Sequence, residues 1–211
     1  MSVTFQPAFG CNPPHPATTP GRPLFGANHV IVPPGQDTVS FTQTAPVAQV
    51  APITPDTVDN LVSKLTEAVD YMSRRNIGGL IVVETKPCPE TDRVTEHGEN
   101  LDSELSAKLI ATIFDSNTPL HDGALIIDHN MRIAEACAHL PSCNAPNLPW
   151  NYGHRHRAAI GLSEKTDDIV VLVSERTGQV KLVERGMVHE LKNAQEFPDA
   201  FRKLYNQKTG L

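Results

Sequence analysis

No run of about eighteen apolar residues occurs in this sequence, so a membrane-spanning helix is not expected. The N-terminus also lacks the basic and then apolar pattern of a secretory signal, which leaves a cytoplasmic protein as the plain expectation. Cysteine is scarce: Cys11, Cys88, Cys137 and Cys143 form no Cys-x-x-Cys pair and have no zinc-ligand spacing. Free thiols in a reducing compartment follow, rather than a disulfide framework. Positive charge is in deficit, with 18 Lys and Arg against 24 Asp and Glu and a formal net charge of -6. That balance removes any general attraction to nucleic acid or anionic membrane, and no extended basic face offsets it. A polyanion would need a local basic cluster.

Several nucleotide-site and hydrolase signatures are missing too. Gly21 and Gly26 have the spacing of a phosphate loop, but Ala27 and Asn28 stand where that motif needs Lys and then Ser or Thr. There is no Gly-x-Gly-x-x-Gly fingerprint, no His-Glu-x-x-His and no Gly-x-Ser-x-Gly elbow.

What is present falls into two parts. Residues 1–55 hold 11 of the 18 prolines and only two charged side chains, Arg22 and Asp37. Pro13-Pro14-His15-Pro16 and Val32-Pro33-Pro34-Gly35 cannot sit inside helices or central strands, so an extended, proline-rich arm is expected. From residue 56 to 211 the pattern is that of one globular α/β domain with a central mixed sheet flanked by helices. Asp56 or Thr57 would cap a helix in which Val58, Leu61, Leu65, Val69 and Met72 recur at helical spacing. Ile77 to Val83 reads as a buried strand, residues 85–100 as a loop, and Asp102 or Ser103 as the opening of a second helix. Strands are expected at Ala124–Ile127, Arg132–Ala138, Ile169–Val173, Gln179–Val183 and Met187–Leu191. A short helix is expected from His156 to Ser163, and a closing helix from Ala194 to Tyr205.

Three segments carry chemistry. In Asn117-Thr118-Pro119-Leu120-His121-Asp122-Gly123-Ala124, the imidazole of His121 and the carboxylate of Asp122 suit a divalent ion, and Gly123 permits close approach to the backbone. Taken alone, Asp-Gly has its ordinary meaning of a turn. In Gly153-His154-Arg155-His156-Arg157, crowded cations at a helix start suit phosphate, or form a solvated basic turn. In Val173-Ser174-Glu175-Arg176-Thr177-Gly178, a carboxylate and a hydroxyl end an apolar strand, either to complete a metal site or as an ordinary hairpin.

Together these segments resemble the diadenylate cyclase family, whose members carry Asp-Gly-Ala, Arg-His-Arg and a downstream Ser-Glu turn. The resemblance covers about residues 57–192, including the stretch from Met72 to Glu84, which is similar to the family's first helix and strand. It implies condensation of two ATP into cyclic di-AMP and two pyrophosphates across a face-to-face pair of subunits, with Mg²⁺ or Mn²⁺ as cofactor. It also implies roles. Asp122 would act at the metal and the attacking 3′-hydroxyl, with His121 and Glu175 completing the metal site. Arg155, His156 and Arg157 would hold the triphosphate, and Ser174 would contact phosphate. Gly123 and Ala124 would line ribose and adenine, and Leu140 and Pro141 would border the adenine ring.

Three positions depart from the family pattern: His154 replaces the usual Thr before Arg-His-Arg, Arg176 a frequent Glu, and Gln179 a frequent Gly. His154, placed to touch substrate, motivates an alternative of the same fold, a silent nucleotide-binding or cyclic di-AMP-binding module. Familiar members carry membrane helices before this domain or DNA-scanning domains after it, and the arm is expected to take their place.

Overall fold

The computed structural model describes residues 54–87, 93–143, 148–149 and 152–211. The proline-rich arm, apart from Thr54 and Pro55, lies outside the described residues, as do Cys11 and Cys88.

Pro55 decides where the first helix, α1 (Pro55–Arg74), begins. Its fixed φ and missing N–H suit the first helical position, which makes Thr54 the cap rather than the expected Asp56 or Thr57. Thr54 Oγ1 accepts from the Thr57 amide at 3.3 Å, and Thr57 Oγ1 accepts from the Thr54 amide at 2.9 Å. Such a reciprocal cap contributes about 1 kcal/mol. Val58, Leu61, Val62, Leu65, Ala68, Val69 and Met72 form the buried stripe.

The remaining elements in chain order are β1 (Gly79–Val83), β2 (Glu99–Glu104), α2 (Ala107–Ile113), β3 (Ala124–Ile127), β4 (Arg132–Ala138), α3 (His154–Ser163), β5 (Ile169–Val173), β6 (Val180–Glu184), β7 (Met187–Glu190) and α4 (Phe197–Thr209). A 3₁₀ turn at Ala194–Glu196 leads into α4, with Pro198 near its start. The strands form one mixed sheet in the order β2-β4-β3-β1-β5-β6-β7. β1 lies parallel to β3 (Ile81 opposite Leu125) and antiparallel to β5 (Ile81 opposite Val171).

Alternation along the central strands builds two apolar layers. Ile81, Val83, Ile169, Val171 and Val173 face the larger core with α1, α2 and α4. Leu80, Val82, Val170 and Leu172 face the smaller core with Ala159, Ile160 and Leu162 of α3. Helices therefore cover both faces, and β1 and β5 are buried throughout.

Two further expectations differ from the structure. Residues 99–104 were read as loop and helix start, yet they form the edge strand β2. Its side chains alternate between exposed and partly buried, with Leu101 and Ser103 turned inward. A register shift occurs between Asn100 and Ser103, where Asp102 adopts φ +39° and Arg132 Nε donates to Asp102 Oδ1 at 2.8 Å. The second helix starts later, with Ser106 as its cap. The other correction is at α3, which starts at His154 rather than His156.

At the end of β1, Glu84 and Asp168 both pair with buried Arg93, at 2.7 and 2.9 Å. Burial pushes the Glu84 carboxyl up, and Arg93 opposes that shift. The network ties residue 93 to the sheet at the end opposite the features described next.

Candidate functional site

Because β5 runs against β1 while β3 runs with it, the residues before β1, before β3 and after β5 share one end of the sheet. These are Gly78, the His121-Asp122-Gly123 stretch and Ser174-Glu175, so the topology gathers two of the three sequence motifs.

At the head of β3, Gly123 adopts φ +133°, a conformation that L side chains rarely take. A Cβ there would lie 2.6 Å from the carbonyl carbon of Cys137. Cys137 is itself left-handed at φ +62°, where the β3–β4 register shifts. Its Sγ donates to the Asp122 carbonyl at 2.7 Å. Burial pushes the Cys137 thiol up, and Asp122 acts in the same direction, so the thiol keeps the proton it donates. The backbone at Asp122 is held in this way while its carboxylate stays exposed.

His121 Nδ1 lies 2.6 Å from the Thr118 carbonyl. A carbonyl only accepts, so Nδ1 carries a proton, and Nε2 is the ring atom left to meet a ligand.

α3 supplies the remaining motif, the second in chain order. Gly153 is its N-cap and has no side chain to satisfy the first-turn amides, and no acidic residue stands in that turn. These donors and the helix dipole suit an anion. Arg155 Nη1 donates to Glu175 Oε2 at 3.0 Å. The pair passes directly over Gly78, where a Cβ would sit 2.8 Å from both Arg155 Nη1 and Glu175 Cβ. Gly78 was not singled out from sequence, since nothing local marks a glycine that makes room for two distant side chains.

The ring of His156 stacks on Tyr152 with centroids 4.5 Å apart. Burial lowers the His156 pKa to about 4, with the Lys181 charge acting the same way and Glu190 opposing. Among the described residues, Arg155 Nε and His156 Nε2 are buried without a hydrogen-bond partner. Between α3 and β5 lies an open cleft of about 190 Å³, walled by His154, Arg155, His156, Ser174, Glu175, Thr177, Gln179 and Lys181.

The cleft thus joins the second and third motifs. His121, Asp122, Gly123 and Ala124 do not line it, nor do Arg157, Leu140 and Pro141. Ala124 and Pro141 are buried, Leu140 packs on the smaller core, and the Arg157 carbonyl accepts from the Cys143 amide. Among the described residues no three His, Cys, Asp or Glu side chains converge as a metal cluster. The expected metal set of His121, Asp122 and Glu175 is therefore not gathered within one copy, and Glu175 is paired with Arg155 instead.

The depressed pKa of His156 gives a test of its burial. Its stabilising contribution is fully present above the unfolded value of 6.5 and is lost as pH falls toward about 4. Urea unfolding across that range is expected to show wild type losing stability relative to His156→Gln as pH drops. Parallel curves would mean that the ring titrates alike in the folded and unfolded chains.

A family model described as DisA bacterial checkpoint controller nucleotide-binding matches residues 66–188, a span that contains all three motifs. The chain is 41% identical over 128 residues to the cyclic di-AMP synthase CdaA of Bacillus subtilis, covering 61% of this chain and 46% of that protein. It is 42% identical over 127 residues to a diadenylate cyclase of Listeria monocytogenes, covering 60% and 45%. The chain therefore spans about half the length of these relatives. The crystal structure of DacA from Staphylococcus aureus, a double mutant, superposes with a TM-score of 0.63 at 36% identity, covering 72% of this chain and 96% of that one. A hypothetical membrane spanning protein from Bacillus cereus gives 0.58 at 37% identity, covering 62% and 63%. In this chain, no helix among the described residues is long and apolar enough to cross a membrane.

Proposed function

Because the chain belongs to the diadenylate cyclase family, we propose that it condenses two ATP molecules into cyclic di-AMP. The 3′-oxygen of each nucleotide attacks the α-phosphorus of the other. Two phosphodiester bonds form and two pyrophosphates leave. The observation that carries this reading is the cleft in which the first turn of α3 meets the Ser174-Glu175 turn through Arg155, at the sheet end that also presents Asp122.

Arg155 and His156, with the amides of α3, hold the triphosphate in the cleft, Arg157 adds its charge from outside the cleft lining, and Ser174 and His154 contact phosphate oxygens. Asp122 takes the proton from the attacking 3′-hydroxyl. Gly123 and Leu140, both partly exposed, border the ribose and adenine, with the buried Ala124 and Pro141 behind them. Such chemistry rests on positioning and charge neutralisation more than on covalent help. Asp122 does not line the cleft, which is compatible with a facing pair of subunits in which one copy's Asp122 serves the nucleotide held by the other.

A divalent ion, Mg²⁺ or Mn²⁺, would be held by His121 Nε2 and the exposed Asp122 carboxylate, and Glu175, paired with Arg155 in this copy, would add its carboxylate only across the facing pair. When bound, such an ion neutralises phosphate charge and acidifies the attacking hydroxyl. A cytoplasmic, at least dimeric enzyme is part of the same proposal.

The test is to incubate the purified protein with ATP and either metal, then detect cyclic di-AMP by chromatography and mass. The rate per molecule is expected to fall on dilution below the dimer dissociation constant. A rate strictly proportional to concentration in a chain shown to be monomeric would refute the two-subunit mechanism. ATP binding without product under either metal would favour the silent binding module.

A further inference from the structure

Lys181 interrupts an otherwise apolar stretch of β6, between Val180 and Leu182, and its side chain is only 4% exposed. Its Nζ donates at 2.7 Å to Oε1 of Glu190, its directly opposite partner on β7. It also lies 4.8 Å from the ring centroid of Tyr152, the residue that stacks on His156. The pair is lopsided, because the Glu190 side chain is 52% exposed while the ammonium is buried. An ion pair that serves only the surface gains little and has no need to sink its lysine into the sheet. Lys181 instead lines the cleft that also holds Arg155 and Ser174. Two further polar atoms of that cleft motif, Arg155 Nε and His156 Nε2, are buried without partners among the described residues.

We propose that Lys181 is a polyphosphate-binding residue of this cleft, with Glu190 neutralising its ammonium until the phosphate chain of a di- or triphosphate displaces the carboxylate. The proposal rests on the reading of the cleft as a triphosphate site and adds a residue that the three motifs do not contain. The neighbouring Tyr152 ring and the tight packing of β6 keep the side chain in the cleft lining, so release of Glu190 leaves the charge in place. Arg155 and Lys181 line the cleft from different elements, α3 and β6, so linked phosphates have two cations to engage where a single phosphate needs only one. Discrimination between polyphosphate and monophosphate follows.

The experiment measures binding of inorganic pyrophosphate and of AMP to the full chain by calorimetry, alongside cyclic di-AMP formation from ATP. Lys181→Gln is expected to weaken pyrophosphate roughly tenfold, the effect of losing one charge-assisted hydrogen bond, with AMP changed by less than about twofold. Glu190→Gln is expected to tighten pyrophosphate roughly threefold, since the competing charge is gone. Opposite signs in the two variants are the signature, because a purely structural pair would weaken binding, if at all, in both. Equal weakening, no change in either variant, equal loss for AMP, or no pyrophosphate binding to the wild type would overturn the proposal. Should Lys181→Gln fail to fold, Glu190→Gln alone decides by tightening or not. If the wild type forms no cyclic di-AMP while the opposite signs hold, the condensation reading falls and Lys181 stands. Product without that pattern means the reverse.

Discussion

Asp122→Asn is expected to lower cyclic di-AMP formation about a thousandfold while leaving ATP affinity within a few-fold. The substitution keeps the shape of the side chain and removes its charge. Cys137 holds the carbonyl of residue 122 rather than its carboxylate, so the backbone stays in place. What disappears, on the proposed mechanism, is the acceptor for the proton of the 3′-hydroxyl and one donor to a divalent ion. Loss of a positioned general base alone is worth roughly 10²- to 10⁴-fold. Binding should persist because the cleft proposed to hold the phosphates is walled by other residues. The assay is initial product formation at saturating ATP, paired with calorimetric ATP binding. Full activity in this variant would remove Asp122 from the reaction.

Gly123→Ala should be more damaging than its size suggests. The added Cβ would meet the Cys137 backbone at 2.6 and 2.7 Å, and φ +133° would be strained for alanine whatever the space. Strain of about 1–3 kcal/mol and a comparable overpacking term together predict roughly 2–4 kcal/mol of lost stability by urea unfolding. Product formation should fall at least about a hundredfold even in the folded fraction, because a shift of 1 Å in the adjoining Asp122 is enough for that loss. If Asp122-Gly123 were a mere turn, the cost would be about 1 kcal/mol with activity intact. The two results are easily told apart.

These outcomes bear on how far the sequence can be read. Ala124–Ile127 and Ile169–Val173 are legible from their apolar, β-branched runs, and the structure places strands there and at the expected Arg132–Ala138. β2 was not, because Glu99–Glu104 is acidic and polar and gains its strand character from pairing with β4. The start of α3 was read two residues late, since glycine caps no amide and gives no signal of its own. That shift matters chemically, as it puts His154, Arg155, His156 and Arg157 together in the opening of the helix. Within the candidate site, the motif residues could be picked out because carboxylate, imidazole and guanidinium side chains cluster along the chain. Gly78, Tyr152 and Lys181 could not, because each acquires its place through contacts with elements distant in sequence. Lys181 did leave one trace, a charge inside an apolar strand.

The sheet order has a further consequence, for synthesis and folding. β1 is made early, yet its two neighbours, β3 and β5, lie far downstream. A nascent chain that has not yet emerged past Val173 carries a fully apolar central strand, with Leu80, Ile81 and Val82 waiting for one edge to be covered. Long-range pairing of this kind makes closure slow and leaves sticky intermediates. Chains truncated between β4 and β5 should therefore aggregate rather than accumulate as a smaller folded unit. Ribosome pausing in that interval would be costly for the cell.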